Sequence, residues 1–66
     1  MKTVTLNGEP RRVDAATVAA LVEELGLPGS LVLVEQNGVA LQMPEWLHAL
    51  IRDGDRLEIL RISAGG

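Results

Sequence analysis

Side chains that could carry out chemistry are few and scattered in this sequence of 66 residues. It contains no Cys, which excludes disulfides, thiol nucleophiles and zinc–thiolate sites. His48 is the single histidine, and a catalytic or metal-binding histidine needs companion residues that the sequence does not supply. We therefore expect no metal site, and we interpret His48 as a surface residue.

Acidic residues form two patterns that could suggest a site. Asp53-Gly54-Asp55 lacks the ligand number and spacing of a Ca²⁺ loop, and a tight turn explains it. Glu23 and Glu24 are adjacent on a predicted helix, so their side chains point apart and cannot act as paired carboxylates. Without a nucleophile, base or phosphate loop, we expect the chain not to be an enzyme and not to bind a cofactor.

The reactive group that remains is the carboxylate of Gly66, which follows Ser63, Ala64 and Gly65. A Gly-Gly ending says little by itself, because chain ends are often loose. We predict one folded domain over residues 1–62 and a flexible tail over residues 63–66. The elements that precede the tail must therefore decide its role.

Composition and charge limit the partners. The net charge of −3 argues against nucleic acid, whose binding needs clustered Lys and Arg. No stretch approaches the roughly 18 apolar residues of a membrane span, and the first residues lack the apolar region of a signal peptide. We expect a cytoplasmic protein with no nucleic acid or membrane partner. With 47% hydrophobic residues and one aromatic, Trp46, an aliphatic core between one helix and one sheet is expected.

The first half of the chain predicts a hairpin and a helix. Residues 2–6 alternate as a strand, Asn7-Gly8 is a preferred tight turn, and residues 9–13 form the return strand with Pro10 on a sheet edge. A helix follows, with Thr17 as its N-cap, Asp14 as a less favoured alternative, and Gly26 as its terminating residue. Its apolar stripe is formed by Val18, Leu21, Val22 and Leu25.

The second half predicts another hairpin and a last strand. Residues 31–34 are apolar on both faces, as in an inner strand, and Asn37-Gly38 turns the chain into residues 39–41. Residues 44–50 are predicted to form a short helix that directs Trp46 and Leu50 towards the core. A turn over residues 52–55 leads into the final strand, residues 56–62.

The final strand carries apolar side chains on both of its faces. Leu57 and Ile59 share one face, whereas Glu58, Leu60 and Ile62 lie on the other. One helix covers only one face of a sheet, so Leu60 and Ile62 are expected on an uncovered face. An exposed apolar patch on a small domain usually marks a contact surface. We predict a partner-binding surface centred on Leu60 and Ile62, with Glu58 beside them and Arg61 assisting the orientation of the tail.

Several short segments occur in an order that is typical of a known family. They are Leu6-Asn7-Gly8, Thr17-Val18, Leu25, Asn37-Gly38, Pro44-Glu45-Trp46, Asp53-Gly54-Asp55, Leu57-Glu58-Ile59 and Gly65-Gly66. Over nearly its whole length the chain resembles the ThiS family of thiamine-biosynthesis sulfur carriers. It departs from the family in lacking an Arg before the Trp region and in having Ser63-Ala64 before the two glycines.

The resemblance implies an α+β, ubiquitin-like β-grasp fold: a mixed four- to five-stranded sheet, one main helix on one face and a short second helix. It also implies that an E1-like adenylyltransferase of the ThiF type uses ATP to adenylate Gly66. A sulfur-donor protein then supplies the sulfur of a C-terminal thiocarboxylate, which a thiazole synthase of the ThiG type consumes. Glycines at 65 and 66 suit this role, since they accept unusual backbone angles and fit a narrow channel.

Two other functions remain open at this point. A molybdopterin-type sulfur carrier shares the fold, the tail and the adenylation. A ubiquitin-like protein modifier would instead join Gly66 to a lysine through an isopeptide bond.

Overall fold

The computed structural model describes residues 1–62, which form a five-stranded mixed sheet with one α-helix against one face. The elements are β1 (Lys2–Leu6), β2 (Glu9–Val13), α1 (Val18–Glu24), β3 (Val32–Gln36), β4 (Val39–Leu41) and β5 (Arg56–Arg61). The strand order is β2-β1-β5-β3-β4, in which β1 and β5 run parallel and the other neighbours antiparallel. This architecture confirms the predicted α+β, β-grasp fold.

Both hairpins turn at Asn-Gly, as predicted. Asn7 and Asn37 have φ of 50° and 51°, and Gly8 and Gly38 both have φ of 84°. Two successive left-handed residues match the twist of the flanking strands, and Asn and Gly accept this conformation best. The β1–β2 hairpin lies at one edge of the sheet and the β3–β4 hairpin ends at the other. Pro10 is therefore on an edge strand, where its missing N–H interrupts no ladder.

Helix α1 begins and ends where the sequence indicates. The Thr17 side chain accepts a hydrogen bond from the N–H of Ala20 at 3.2 Å, which confirms it as the N-cap. The N–H of Val18, free within the helix, donates to the carbonyl of Ala49 at 2.9 Å. Gly26, with φ of 71°, stops the helix. These contacts tie the start of α1 to the segment before β5.

The core lies between α1 and the sheet and contains no aromatic side chain except Trp46. Its buried residues are Val4, Val13, Ala15, Val18, Leu21, Val22, Val32, Val34, Trp46, Ile51, Leu57 and Ile59. The indole Nε1 of Trp46 donates to the carbonyl of Leu41 at 3.4 Å, so Trp46 also fastens the end of β4.

The predicted short helix at residues 44–50 is wrong in extent and in one of its core residues. The segment forms a 3-10 turn, Met43–Glu45, followed by further turns. Leu50 is 59% exposed, and Ile51 is buried instead. The reason is that Leu50 forms an isolated β-bridge with Thr17, so the chain is extended there and successive side chains point to opposite sides.

Two strand boundaries also differ from the predicted ones. Leu31 belongs to a 3-10 turn, Gly29–Leu31, and β3 starts at Val32. Strand β5 ends at Arg61, and Ile62 follows it. Neither shift changes which residues face the core.

Candidate functional site

The strand that leads to the tail is the central one. Strand β5 lies between β1 and β3, and it is paired with β3 from Leu57 to Arg61. The N–H of Ile62 donates to the carbonyl of Leu31 at 2.6 Å, which extends this pairing by one residue. The predicted tail residues Ser63, Ala64, Gly65 and Gly66 lie outside the described residues. The chain is therefore held to the sheet up to Ile62, the last residue that the structure describes.

The side-chain amide of Asn7 forms hydrogen bonds with β5 beyond the point where the backbone pairing of β1 with β5 ends. Strand β1 pairs with β5 at only two positions, Thr5 with Arg56 and Leu6 with Leu57. Beyond them, Asn7 Oδ1 accepts from the N–H of Ile59 at 2.8 Å, and Asn7 Nδ2 donates to the carbonyl of Ile59 at 3.1 Å. The Asn7 side chain thus continues the ladder that the turn interrupts.

The second turn asparagine holds the start of the same strand. Asn37 Oδ1 accepts from the N–H of Arg56 at 2.8 Å, and its Nδ2 donates to Asp55 Oδ1 at 3.0 Å. Sequence reasoning identified Asn7 and Asn37 as turn residues but missed these contacts with β5. The occurrence of Asn at both Asn-Gly turns, where Asp or Gly would also fit, is the available signal.

The face of the sheet opposite α1 is uncovered in residues 1–62, as predicted. In β5, Leu57 and Ile59 are buried, whereas Glu58 and Leu60 are exposed on the other face. Leu60 pairs directly with Leu33 of β3, and these two leucines are 62% and 57% exposed. We call this surface, formed by Leu33, Glu35, Ala40, Glu58 and Leu60, the open face.

A shallow groove of about 420 Å³ crosses the open face. Its apolar lining includes Leu33, Leu60 and Ala40, and its carboxylates are those of Glu35 and Glu58. Asn7 also lines it, so the residue that fixes the backbone of Ile59 lies beside the groove. The groove can accept an apolar side chain of a partner and a neighbouring cation.

The remaining predicted partner-binding residues are Arg61 and Ile62. Ile62 is exposed and directly follows β5, in continuity with Leu60. Arg61 is exposed but pairs with buried Val32, and cross-strand partners share a face of the sheet. Arg61 therefore lies on the side of α1 and is separated by the sheet from Glu58 and Leu60.

The acidic turn Asp53-Gly54-Asp55 is a structural element. Asp55 accepts hydrogen bonds from the N–H of Arg52 at 2.9 Å, from Gln36 at 3.0 Å and from Asn37 at 3.0 Å. Partial burial raises the pKa of Asp55, but these hydrogen bonds and the charge of Arg52 outweigh burial and lower the pKa overall. A carboxylate held ionised in this way fastens the start of β5, and it needs no metal ion.

The other acidic candidates are not brought together. Glu45 Oε1 accepts from the N–H of Gln42 at 2.6 Å, which caps the 3-10 turn. Glu23 and Glu24 are exposed on α1. Residues 1–62 contain no group of three or more His, Cys, Asp or Glu side chains placed to hold a metal ion. No helix within those residues has the length and apolar composition needed to cross a membrane.

Comparisons with known proteins point to one family. The family model described as ThiS family matches residues 4–66. The sulfur carrier protein ThiS of Thermus thermophilus is 36% identical over 66 residues, covering 96% of this chain and 98% of that protein. A thiazole synthase of Paramagnetospirillum magneticum is 40% identical over 67 residues, and the match covers all of this chain but only 20% of that protein. This chain thus spans one fifth of that relative's length.

Solved structures give the same result. The crystal structure of a thiamine biosynthesis protein, ThiS, from Geobacter metallireducens has a TM-score of 0.81 and 34% identity, and it covers 97% of this chain and 99% of its own. An NMR solution structure of a thiamine biosynthesis protein from the same organism has a TM-score of 0.80 and 34% identity, covering 97% of this chain and 87% of its own. The fold and the sequence therefore agree on one family.

Proposed function

Because the chain belongs to the ThiS family of sulfur carrier proteins of thiamine biosynthesis, we propose that it carries sulfur as a thiocarboxylate on Gly66. The observation that supports this most directly is the family match, which runs through both glycines of the Gly65-Gly66 ending. The absence of Cys supports it as well, because the chain has no thiol on which to hold sulfur as its own persulfide. The chain acts as a carried group, not as a catalyst.

A carboxylate is a poor electrophile, so the proposed chemistry begins with activation. A carboxylate oxygen of Gly66 attacks the α-phosphorus of ATP on an E1-like, ThiF-type adenylyltransferase, and pyrophosphate leaves. A persulfide of a sulfur-donor protein attacks the acyl carbon, and AMP leaves with the bonding electrons. A second thiol then cleaves the S–S bond, forming a disulfide and leaving the thiocarboxylate on Gly66. The need for ATP supports a cytoplasmic site of action.

A ThiG-type thiazole synthase is the proposed acceptor of the sulfur. A thiazole synthase that contains a stretch similar to this whole chain supports that pairing, because two functions in one polypeptide often act in succession. Delivery to thiazole formation is also what distinguishes this family from molybdopterin-type carriers. The proposed partners are therefore an activating enzyme, a sulfur donor and a thiazole synthase.

The open face is the proposed docking surface for these partners. Leu33 and Leu60 form an exposed apolar pair in the middle of it, and Glu58 flanks them. Ile62 continues this surface towards the tail. Arg61, which lies on the side of α1, is proposed to assist tail orientation from the opposite side of the sheet.

Intact-mass analysis of the protein purified from its own cells tests the proposal. We expect a population in which one oxygen at Gly66 is replaced by sulfur, located by fragmentation of the last residues. A lysine-linked adduct would instead identify a protein modifier. Free carboxylate alone, under sulfur-replete conditions and with the activating enzyme present, would contradict the proposal.

A further inference from the structure

Two carboxylates face each other across the centre of the open face. Glu35 of β3 and Glu58 of β5 are directly opposite in the register of the two strands, and both are exposed. Side chains in such positions have Cβ atoms about 4.5–5.5 Å apart, and like charges there repel each other and destabilise the sheet. The hydrogen bonds between side chains in residues 1–62 join other residues, Gln36 and Asn37 to Asp55. Neither glutamate of the pair is thus held by a side-chain hydrogen bond in the part of the chain that the structure describes.

Two arginines, Arg56 and Arg12, lie on the same side of the sheet as this pair. Arg56 precedes Glu58 by two residues on the same strand face, but its Nη2 lies against the β3–β4 turn, 3.6 Å from where a Cβ of Gly38 would be. Arg12 also lies on this side of the sheet, but on β2, two strands away from β5. Two strand spacings amount to roughly 10 Å, which is about a Debye length at physiological salt.

The acidic pair is continuous with the apolar part of the groove. The next pair on this face is Leu33 with Leu60, and Ala40 lies beside Glu35 on β4. A ligand group that fits this surface needs an apolar stem to cover the leucines and a cation that reaches two carboxylates at once. Arginine meets both needs, since its guanidinium presents five donors in a planar fork and its stem packs on apolar surface.

We propose that an arginine of the activating adenylyltransferase binds between Glu35 and Glu58, with its stem over Leu33 and Leu60. This inference deepens the docking role of the open face and rests on the proposed function. It assigns Glu35, which the sequence did not single out, the same role as Glu58. The two like charges lower the stability of the free carrier, whereas their contact with the arginine stabilises the complex. Removing both charges must therefore raise the stability of the free carrier and weaken its binding to the adenylyltransferase.

Substitutions that remove the charges and keep the shape test this relationship. We expect Glu35→Gln and Glu58→Gln to raise the urea midpoint of the free protein, and the double variant to bind the adenylyltransferase about tenfold more weakly with a smaller dependence on salt. Glu24→Gln, on exposed α1, is the matched control and should change neither quantity. A double variant that binds as tightly as the wild type, with the same salt dependence, would overturn the inference.

Chemical modification identifies the partner residue. Phenylglyoxal modifies accessible arginines, and peptide mass spectrometry of the treated adenylyltransferase locates them. The wild-type carrier should protect one arginine that the double variant leaves reactive, whereas equal protection of all arginines by both proteins would contradict the proposal. Loading of Gly66 is followed in parallel samples without phenylglyoxal, at saturating enzyme. If the wild-type carrier is loaded normally but both carriers protect the same arginines, only this inference is refuted. If the wild-type carrier is not loaded, the proposed function is refuted as well.

Discussion

The side-chain amide of Asn7 forms hydrogen bonds with both the N–H and the carbonyl of Ile59, at a position where the backbone of β1 no longer pairs with β5. These two residues are 52 positions apart, and Asn7 at the same time adopts the left-handed conformation that its turn requires. A single residue thus closes the first hairpin and holds the strand that leads to the tail. Its two tasks can be separated by substitution.

Asn7→Gly should retain the turn and lose both hydrogen bonds, because glycine accepts positive φ without strain. Leaving the backbone groups of Ile59 unpaired is expected to cost about 1–3 kcal/mol of unfolding free energy. Urea unfolding followed by the fluorescence of Trp46, the single tryptophan, measures the loss. Asn7→Asp keeps the acceptor but faces the carbonyl of Ile59 with a second acceptor, and should be no more stable than Asn7→Gly. A glycine variant as stable as the wild type would show that the amide adds nothing beyond the turn.

Leu60→Asp should reduce the rate of thiocarboxylate formation by about tenfold or more, since a charge in the apolar groove must be desolvated when the partner docks. The fold should persist, because Leu60 is 62% exposed. Leu47→Asp is the matched control: Leu47 is 68% exposed but follows Trp46, outside the sheet. Equal loading rates for Leu60→Asp and the wild type, measured by mass spectrometry, would rule out docking through this face.

Removal of Gly66 should abolish sulfur loading, because the carboxylate then ends roughly 3.3–3.6 Å short of its position in the full chain. The shortened protein keeps the open face, so it should also inhibit loading of the full-length protein when both are mixed with the activating enzyme. Sulfur found on the shortened chain would disprove the assignment of Gly66. Loss of loading without inhibition would place the docking determinants in the last residue instead of the sheet.

The activating enzyme and the thiazole synthase should compete for the carrier, since the same groove is proposed to receive both. Adding thiazole synthase to a loading reaction should therefore slow adenylation, and an excess of carrier should relieve the inhibition. Leu60→Asp should weaken binding to both enzymes. A ternary complex of the three proteins, seen by size-exclusion chromatography, would argue for separate docking surfaces.

Asp55 should make stability depend on acid pH. Its pKa in the folded state lies below the ordinary value of 3.8, because hydrogen bonds from Arg52, Asn37 and Gln36 outweigh the effect of burial. A depressed pKa stabilises the fold above the ordinary value, and this contribution is lost as the pH falls through the lower folded value. Asp55→Asn should thus be less stable than the wild type at neutral pH, with a difference that shrinks below about pH 4. Asp14→Asn, exposed before α1, is the control, and a difference independent of pH would contradict this account.

Local patterns predicted most of the elements, and the main failure has its cause in a contact between distant segments. Alternation, Asn-Gly turns and the Thr17 and Gly26 helix signals all place elements correctly, because each depends on a few neighbouring residues. Helical spacing predicts Leu50 in the core, and this is wrong because the bridge to Thr17 holds the segment extended. The buried role of Ile51 follows from that same long-range contact.

By itself the sequence determined which side chains of each strand share a face, where the chain turns and which reactive groups are absent. Together with the family to which the chain belongs, it supports the proposal that the carboxylate of Gly66 carries the sulfur. Only the tertiary structure decided that β5 is central, that Asn7 holds Ile59, and that Leu33 meets Leu60 and Glu35 meets Glu58. The physical reason is that periodicity records the environment of one element, whereas register joins strands far apart in the chain and depends on how the whole sheet packs.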